Sequence, residues 1–226
     1  MLYHKAYELL KNSDSPKLMP DLCANLGDAY VFDNDLPKAA LWYRKALFIA
    51  DSLQLPKVQN ASLYMGLGRI YLLLEDFEAS LNCYQQTEKS FSDLSLNLQA
   101  YFLNKYGNYY YYTKDYQTSL KKFLMLKKLL EKHDKRETFS MYLCKLNLAD
   151  VYLNLNQLDL SDKCLDEVED YMRKNGDETA IYYCNTIRIG QAVKKKDWNT
   201  VARILAGEKS NDQLDFSLLQ IRHQYL

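Results

Sequence analysis

The sequence predicts an all-α fold, built as a solenoid of stacked helical hairpins. Two observations lead to this prediction. One residue pattern returns about every forty positions along the 226 residues, and the chain has only seven glycines and four prolines. Recurrence at such a period is typical of arrays in which each hairpin packs only on its neighbours. We therefore expect a right-handed superhelix of about five antiparallel helix hairpins.

The recurring pattern consists of small and large side chains at fixed spacings. A small residue recurs at Gly27, Gly68, Gly107 and Ala149. A tyrosine follows three residues later, at Tyr30, Tyr71, Tyr110 and Tyr152. A second small residue follows at Ala39, Ser80, Ser119 and Ser161, and a large apolar one at Tyr43, Tyr84, Phe123 and Leu165. A weaker fifth copy contains Ile189, Ala192, Val201 and Leu205. Small residues let two helices approach closely, while large side chains fill the space between hairpins.

The turn inside each hairpin supports this division. Four of the five turns place an aspartate directly before the second helix, at Asp35, Asp76, Asp115 and Asp197. A carboxylate there can accept hydrogen bonds from free N–H groups of the first helical turn. The prolines fall where helices begin, at Pro16, Pro20, Pro37 and Pro56. A missing N–H costs little at that position.

We predict one array over residues 1–226. The expected hairpins cover residues 16–53, 56–93, 95–132, 135–174 and 177–207, with partial repeats at 2–12 and 212–226. Both ends resemble single helices that lack their hairpin partner. Because solenoids usually end in polar capping elements, we expect the chain to be a fragment of a longer protein.

Composition excludes several classes of function. Lys plus Arg and Asp plus Glu both number 29, so no net charge favours nucleic acid or an anionic membrane. The N-terminus does not resemble a signal peptide, and no apolar run approaches the roughly 20 residues of a membrane span. The five cysteines form no CxxC pair, and we expect them at buried helix contacts. The compartment stays open between a cytoplasmic protein and the sensor part of a membrane-anchored regulator.

The segment Leu26-Gly27-x-x-Tyr30, followed by Ala39 and Tyr43, resembles the tetratricopeptide repeat. The second copy, with Gly68, Tyr71, Ser80 and Tyr84, resembles it equally. The resemblance covers nearly the whole chain, although these repeats of 39 to 42 residues exceed the family's usual 34. Long repeats of this kind are similar to those of bacterial regulatory proteins. The resemblance implies a non-enzymatic scaffold that binds a protein or peptide ligand.

In this family the first helix of each hairpin lines the concave groove, so helical spacing selects candidate binding residues. They are Asn25, Asp28, Arg69, Tyr101, Asn104, Lys105, Asn108, Tyr111, Asn147, Asp150 and Asn154. An asparagine amide both donates and accepts hydrogen bonds, so it can pair with a peptide backbone of any sequence. Tyrosine adds apolar area with a polar tip. The alternative interpretation is a solvated inner face without a ligand.

The resemblance also excludes one ligand. Asn108 and Asn147 match the two asparagines of the clamp by which some family members hold chaperone C-termini. The basic positions of that clamp carry Asn104, Tyr183 and Ile187 instead. We therefore expect an internal peptide or protein segment rather than a chaperone C-terminus.

The sequence contains no catalytic, cofactor-binding or metal-binding motif, which predicts a protein that is not an enzyme and has no cofactor. We predict a protein- or peptide-binding scaffold, the sensing or interaction region of a larger bacterial transcriptional regulator. A pure assembly scaffold that uses its convex or edge surfaces is the main alternative, and an oligomer stays open. A nucleic-acid-binding repeat ranks last, because only Arg69, Lys105 and Lys194 would offer positive charge.

Overall fold

The computed structural model describes residues 5, 7–9, 15–135, 138–175 and 178–208, and within them every regular element is helical. Residues 5 and 7–9 of the predicted partial repeat 2–12 are helical, whereas the predicted helix at 212–226 lies outside the described residues. Ten longer helices follow. They are α1 (Met19–Phe32), α2 (Leu36–Ser52), α3 (Lys57–Leu73), α4 (Phe77–Glu88), α5 (Leu96–Tyr112), α6 (Tyr116–Lys132), α7 (Phe139–Asn154), α8 (Leu158–Asn175), α9 (Glu178–Lys195) and α10 (Trp198–Glu208).

The helices reproduce the predicted all-α hairpins, with differences at three ends. A 3₁₀ turn, Pro16–Leu18, precedes α1. The helix predicted to reach residue 93 ends at Glu88, and a separate 3₁₀ turn covers Phe91–Asp93. The helix predicted from residue 135 begins at Phe139, because the Thr138 hydroxyl caps it by accepting from the N–H of Met141.

The chain forms two compact units, with a boundary after Lys105, inside α5. In the N-terminal unit α1 packs against α2, α2 against α3, and α3 against α4. In the C-terminal unit the helices α6 to α10 likewise pack in chain order, and α7 also contacts α9. None of the helices within the described ranges is long and apolar enough to cross a bilayer.

All five hairpin turns have the same backbone geometry. The second turn residue is left-handed, with φ between 57° and 64°, at Asn34, Glu75, Lys114, Asn156 and Lys196. In the first turn, the N–H of Asp35 donates to the carbonyl of Tyr30 at 2.8 Å, and that of Asn34 to Val31 at 3.0 Å. This pair of bonds is the Schellman motif, which satisfies carbonyls at the helix end. None of the five positions is a glycine, although glycine adopts this conformation at least cost.

The aspartate caps form as the sequence predicts. The side chain of Asp35 accepts from the N–H of Lys38 at 3.2 Å, and Asp76 accepts from Ala79 at 3.1 Å. Asp115 accepts from Thr118 at 3.0 Å. Asp197 accepts from Thr200 at 3.1 Å. In the first three hairpins the cap places the helix start three residues before a buried small residue, at Ala39, Ser80 and Ser119.

The two helices of a hairpin meet at the small residues. In the N-terminal unit the Ser80 hydroxyl donates to the Gly68 carbonyl at 2.8 Å. In the C-terminal unit Ser119 donates to Gly107 at 2.9 Å, and Ser161 donates to Ala149 at 2.7 Å. All three serines are fully buried. The serines are therefore more than spacers, because each ties the second helix to the backbone of the first.

Aromatic rings occupy the space that the glycines leave. The buried ring of Tyr43 lies against both Gly27 of its own hairpin and Gly66 of the next. A Cβ added to Gly27 would lie 2.5 Å from Tyr43 Cδ2. At Gly107 an added Cβ would lie 2.7 Å from Phe123 Cε1, whereas at Gly68 the nearest atom, Cys83 Cβ, is 3.1 Å away. An added Cβ would thus overlap a ring at Gly27 and Gly107, whereas at Gly68 it would meet only a tight contact.

The cysteines are core residues. All five are free thiols, four of them are buried, and Cys164 is half-buried. Burial raises the pKa of Cys23 and of Cys164 to about 11. Burial also raises the pKa of Cys83 and of Cys184 to about 12. These thiols are therefore protonated and packed among apolar side chains, as the sequence predicts.

The contact between Gly107 and Phe123 makes the first testable prediction. We expect Gly107→Ala to lower the free energy of unfolding by about 1–3 kcal/mol, because the new methyl overlaps the Phe123 ring. Gly68→Ala is the matched control, since its milder crowding is offset by a helix-propensity gain of about 1 kcal/mol. Urea denaturation of the three proteins measures both effects. Equal stability of the two variants would contradict the packing argument, and Phe123→Leu should recover part of the loss.

The left-handed turns make the second prediction. We expect Lys114→Gly to raise the free energy of unfolding by about 0.5–1 kcal/mol, because glycine relieves the Cβ strain at positive φ. Lys114→Ala keeps the Cβ and serves as the control. Thermal and urea denaturation compare them. A glycine variant no more stable than the alanine variant would show that the turn carries no such strain.

Candidate functional site

A polar cluster in the N-terminal unit begins at the residues that follow Gly27 and Gly68. Asp28 lies on α1 and Arg69 on α3, at the same place in consecutive repeats. Oδ1 of Asp28 accepts from the Tyr43 hydroxyl at 2.9 Å and from Arg69 Nη2 at 3.1 Å. The Asp28 side chain is 54% exposed and that of Arg69 is 15% exposed. The carboxylate therefore faces solvent on one side and holds two donors on the other.

Tyr43 links the core to this cluster. Its ring fills the space beside Gly27 and Gly66, and only its hydroxyl reaches the Asp28 carboxylate. Burial, together with the neighbouring Asp28 charge, raises the pKa of Tyr43 far above its usual value. The hydroxyl therefore stays protonated and acts only as a donor that orients Asp28.

Lys105 on α5 is the exceptional residue of the N-terminal unit. It is only 4% exposed, and its ammonium lies over the ring of Tyr101, 5.1 Å from the ring centroid. Burial, reinforced by the charge of Arg69, lowers the pKa of Lys105 to about 7. Within the described part of the chain no carboxylate forms an ion pair with it. A buried lysine without an acidic partner is costly to keep charged.

Arg69 shares this incomplete pairing. Its Nη2 is bonded to Asp28, but its Nε is buried and finds no hydrogen-bond acceptor among the described residues. Arg69 thus pairs with one carboxylate, whereas Lys105, whose pKa is lowered by burial and by the charge of Arg69, pairs with none among the described residues. The cluster has more donors and more positive charge than its own residues satisfy.

The other candidates of the N-terminal unit differ in exposure. Asn25 is exposed on α1, and Tyr101 is 43% exposed on α5. Asn104 on α5 is buried. The structure therefore brings Asp28, Arg69, Tyr101 and Lys105 into one cluster.

A second cluster lies in the C-terminal unit. The Asn154 amide donates to the Tyr111 hydroxyl at 3.3 Å, to the Asp150 carbonyl at 2.9 Å and to the Asp150 carboxylate at 3.3 Å. All three side chains are half-buried. Burial, with the nearby Asp150 charge, raises the pKa of Tyr111 well above its usual value. The bonds join α5 to α7, the first helices of adjacent hairpins.

The two asparagines selected for backbone recognition lie in the same unit. Asn108 on α5 is buried, and Asn147 on α7 is half-buried. Asn147 is therefore partly accessible to solvent, whereas Asn108 is shielded from it. Whether these asparagines bind a ligand stays a prediction.

Sequence reasoning missed three features of these sites. It placed Tyr43 in the core without its bond to Asp28, and it did not anticipate the burial of Lys105. It also missed the buried bond from the Gln191 amide to Ser161 Oγ, at 2.8 Å. The ion pair between Asp28 and Arg69 could have been predicted from the sequence. The two residues carry opposite charges and stand at equivalent positions of consecutive repeats, 41 residues apart.

Known proteins match the chain in one repeat and in fold. A tetratricopeptide repeat model matches residues 61–87. No curated protein sequence matches the chain significantly. Among solved structures, BtubC from P. vanneervenii has a TM-score of 0.69 at 19% identity, over 78% of this chain and 72% of that one.

Two further solved structures cover nearly the whole chain. Aspartyl phosphate phosphatase F from Bacillus subtilis has a TM-score of 0.73 at 14% identity, over 98% of this chain and 59% of that one. A Rap protein complexed with competence and sporulation factor has a TM-score of 0.72 at 15% identity, over 99% of this chain and 61% of that one. At these identities the likeness shows the fold alone.

The matched repeat and the shared fold confirm the interpretation made from the sequence. Residues 61–87 match a tetratricopeptide repeat, and the chain has the all-α architecture of tetratricopeptide-like solenoids. Folds of this kind are generally protein-interaction scaffolds.

Lys105 makes the third prediction. We expect Lys105→Met to raise the free energy of unfolding by about 1–3 kcal/mol at pH 6, because it removes an unpaired buried charge. The folded pKa lies below the ordinary value of 10.5, so between about pH 7 and pH 10.5 the unfolded chain binds more protons. Wild-type stability therefore rises with pH in this window, and the advantage of the variant shrinks by pH 9.

Urea denaturation at pH 6 and pH 9 measures this effect. Lys121→Met, at an exposed position of α6, is the control for loss of a lysine charge. An advantage for Lys105→Met that is independent of pH would show that the Lys105 amine keeps an ordinary proton affinity.

Proposed function

We propose that the chain is a non-enzymatic scaffold that binds a protein or peptide segment, as the sensing or interaction region of a larger bacterial regulator. One observation carries the proposal. In each unit, first helices of the hairpins present amide, carboxylate and tyrosine groups, although helices of such arrays otherwise pack apolar side chains. Such mixtures of adaptable hydrogen bonds and aromatic area are typical of recognition surfaces.

Fold likeness supports the same proposal. One similar structure, a Rap protein, is a complex with competence and sporulation factor. Another similar structure is named a phosphatase. We carry over the interaction rather than the activity, because this sequence has no catalytic motif.

The charges of the candidate residues make nucleic acid a poor alternative. Arg69 is paired with Asp28, and Lys105 is buried. The ammonium of Lys194 donates to the Leu153 carbonyl at 2.6 Å, at the end of α7. The three cations that could have met phosphates are thus engaged or shielded. Binding to DNA or RNA should be weak, and any that occurs should fall steeply with added salt.

A selection from a random dodecapeptide display library tests the proposal. We expect the chain to enrich binding peptides, and the double variant Asn108→Ala with Asn147→Ala to bind them at least tenfold more weakly, because the amides no longer pair with the peptide backbone. Fluorescence anisotropy with a labelled peptide measures the affinity. Asn199→Ala, at an exposed position of α10, is the control.

Two checks separate binding from folding. Because Asn108 is buried, the double variant must keep the wild-type helicity, and Asn147→Ala alone should weaken binding in the same direction. Unchanged affinity in both variants would remove the asparagines from the proposed surface. A failure to enrich any peptide would contradict peptide binding itself.

An assembly scaffold is the second candidate, and a specific observation favours it. Leu41 and Phe48 lie seven residues apart on α2, and both are exposed. Residues at this spacing share one helix face, and an apolar face is a common contact surface for other proteins. A scaffold of this kind would be insensitive to the asparagine substitutions and would lose its partner on Phe48→Asp.

A further inference from the structure

The cluster around Arg69 and Lys105 carries more positive charge than its one paired carboxylate balances. Asp28 Oδ1 is shared between Tyr43 and Arg69 Nη2, so the carboxylate already serves two donors. Arg69 Nε is buried without an acceptor, and the Lys105 ammonium touches only the Tyr101 ring among the described contacts. Two donors on two cations are thus left over, beside a single negative charge.

The unpaired donors and charge of this cluster are informative because they cost folding free energy. A buried charge without a partner destabilises a fold, and a buried donor without an acceptor does the same. Most lysines elsewhere in this chain lie at the surface, as lysines usually do. A side chain of four methylenes could turn outward, yet Lys105 remains 4% exposed. An arrangement that costs stability in the free chain is typical of a binding site.

We propose that Arg69 and Lys105 together bind a carboxylate of the peptide ligand. The inference rests on the proposed peptide-binding function and names the chemistry that the ligand must carry. A carboxylate has two oxygens, so one can accept from Arg69 Nε and the other from Lys105 Nζ. Asp28 holds Nη2 of the same guanidinium and orients it.

The surroundings of the two donors fit a peptide side chain. The Tyr101 ring lies over the ammonium and is 43% exposed, so this ring borders both the shielded charge and solvent. Movement of this ring would admit the carboxylate, and the ring would then pack on the methylenes of the incoming residue. These groups belong to α1, α2, α3 and α5, all within the N-terminal unit.

The clamp for chaperone C-termini does not explain this pair. Its asparagines correspond to Asn108 and Asn147, and asparagine, tyrosine and isoleucine stand at its basic positions. Arg69 and Lys105 are outside that set. The carboxylate proposed here is therefore bound by different residues, in a different unit.

A double-mutant cycle on a selected peptide tests the inference. Dodecapeptides are first selected on the wild-type chain, with both free and amidated C-termini in the library. We expect the binders to share an acidic residue at one position, or to require a free C-terminus. The acidic residue of one binder is then changed from Glu to Gln, or its C-terminus is amidated, and both peptides are titrated against wild type and Lys105→Met.

We expect removal of the peptide carboxylate to weaken binding to wild type about tenfold, and Lys105→Met to weaken binding of the acidic peptide about tenfold. Both changes together should cost little more than either alone, because each removes the same contact. Lys105→Met removes a buried charge and should fold, and the change in the peptide leaves the protein untouched. Lys121→Met is again the control.

Other outcomes have distinct meanings. Binders without a shared carboxylate, or two losses that multiply to about a hundredfold, would overturn the carboxylate site and leave peptide binding intact. An absence of binders would overturn both proposals. In another outcome, inorganic phosphate alone stabilises the wild type but not Lys105→Met, while the selected peptides bind without a carboxylate. That pair of results would assign the two cations to a free anion and would also overturn the inference.

Discussion

The close approach of two helices at a glycine, alanine or serine contact is the constraint on which the architecture depends. At Ser119 the hydroxyl reaches the carbonyl of Gly107, and the ring of Phe123 lies where a side chain on Gly107 would be. The separation of the helices is thus set by a hydrogen bond and by a flat ring together. The serine-to-carbonyl bond recurs in two other hairpins, from Ser80 to Gly68 and from Ser161 to Ala149.

Much of the fold was predictable because this constraint leaves a strict spacing in the sequence. The series beginning at Gly27 located the helices to within a few residues, and the aspartates located the turns. The start of α7 was placed too early, because a threonine cap at Thr138 is a weaker signal than the aspartate caps. Side-chain partnerships such as that of Gln191 with Ser161 were not predictable, since they depend on the rotation of each helix about its axis.

The residues of the candidate site were predictable from the sequence, but their burial and pairing were predictable only in part. Helical spacing selected Asp28, Arg69 and Lys105, and it could have paired the first two through their equal register. Helical spacing could not distinguish an exposed lysine from a buried one. It predicts the face of the helix on which a side chain lies, whereas burial depends on the residues packed against that face. The polar residues thus fall into two groups. Some join neighbouring hairpins through hydrogen bonds or ion pairs, and others remain incompletely paired. In the C-terminal unit, Arg188 illustrates the first kind, since it bonds Asp162, Asp166 and Glu169 on α8.

The cysteines give the protein a property that its fold alone does not require. Both units hold thiols inside helix contacts, and burial keeps those thiols protonated, so an alkylating reagent meets almost no reactive thiolate while the hairpins stay closed. Cys23 and Cys83 would become reactive only on opening of the N-terminal unit, and Cys184 only on opening of the C-terminal one. The alkylation rate of each native cysteine therefore reports the local opening of its own unit. No engineered cysteine is needed to determine which unit opens first.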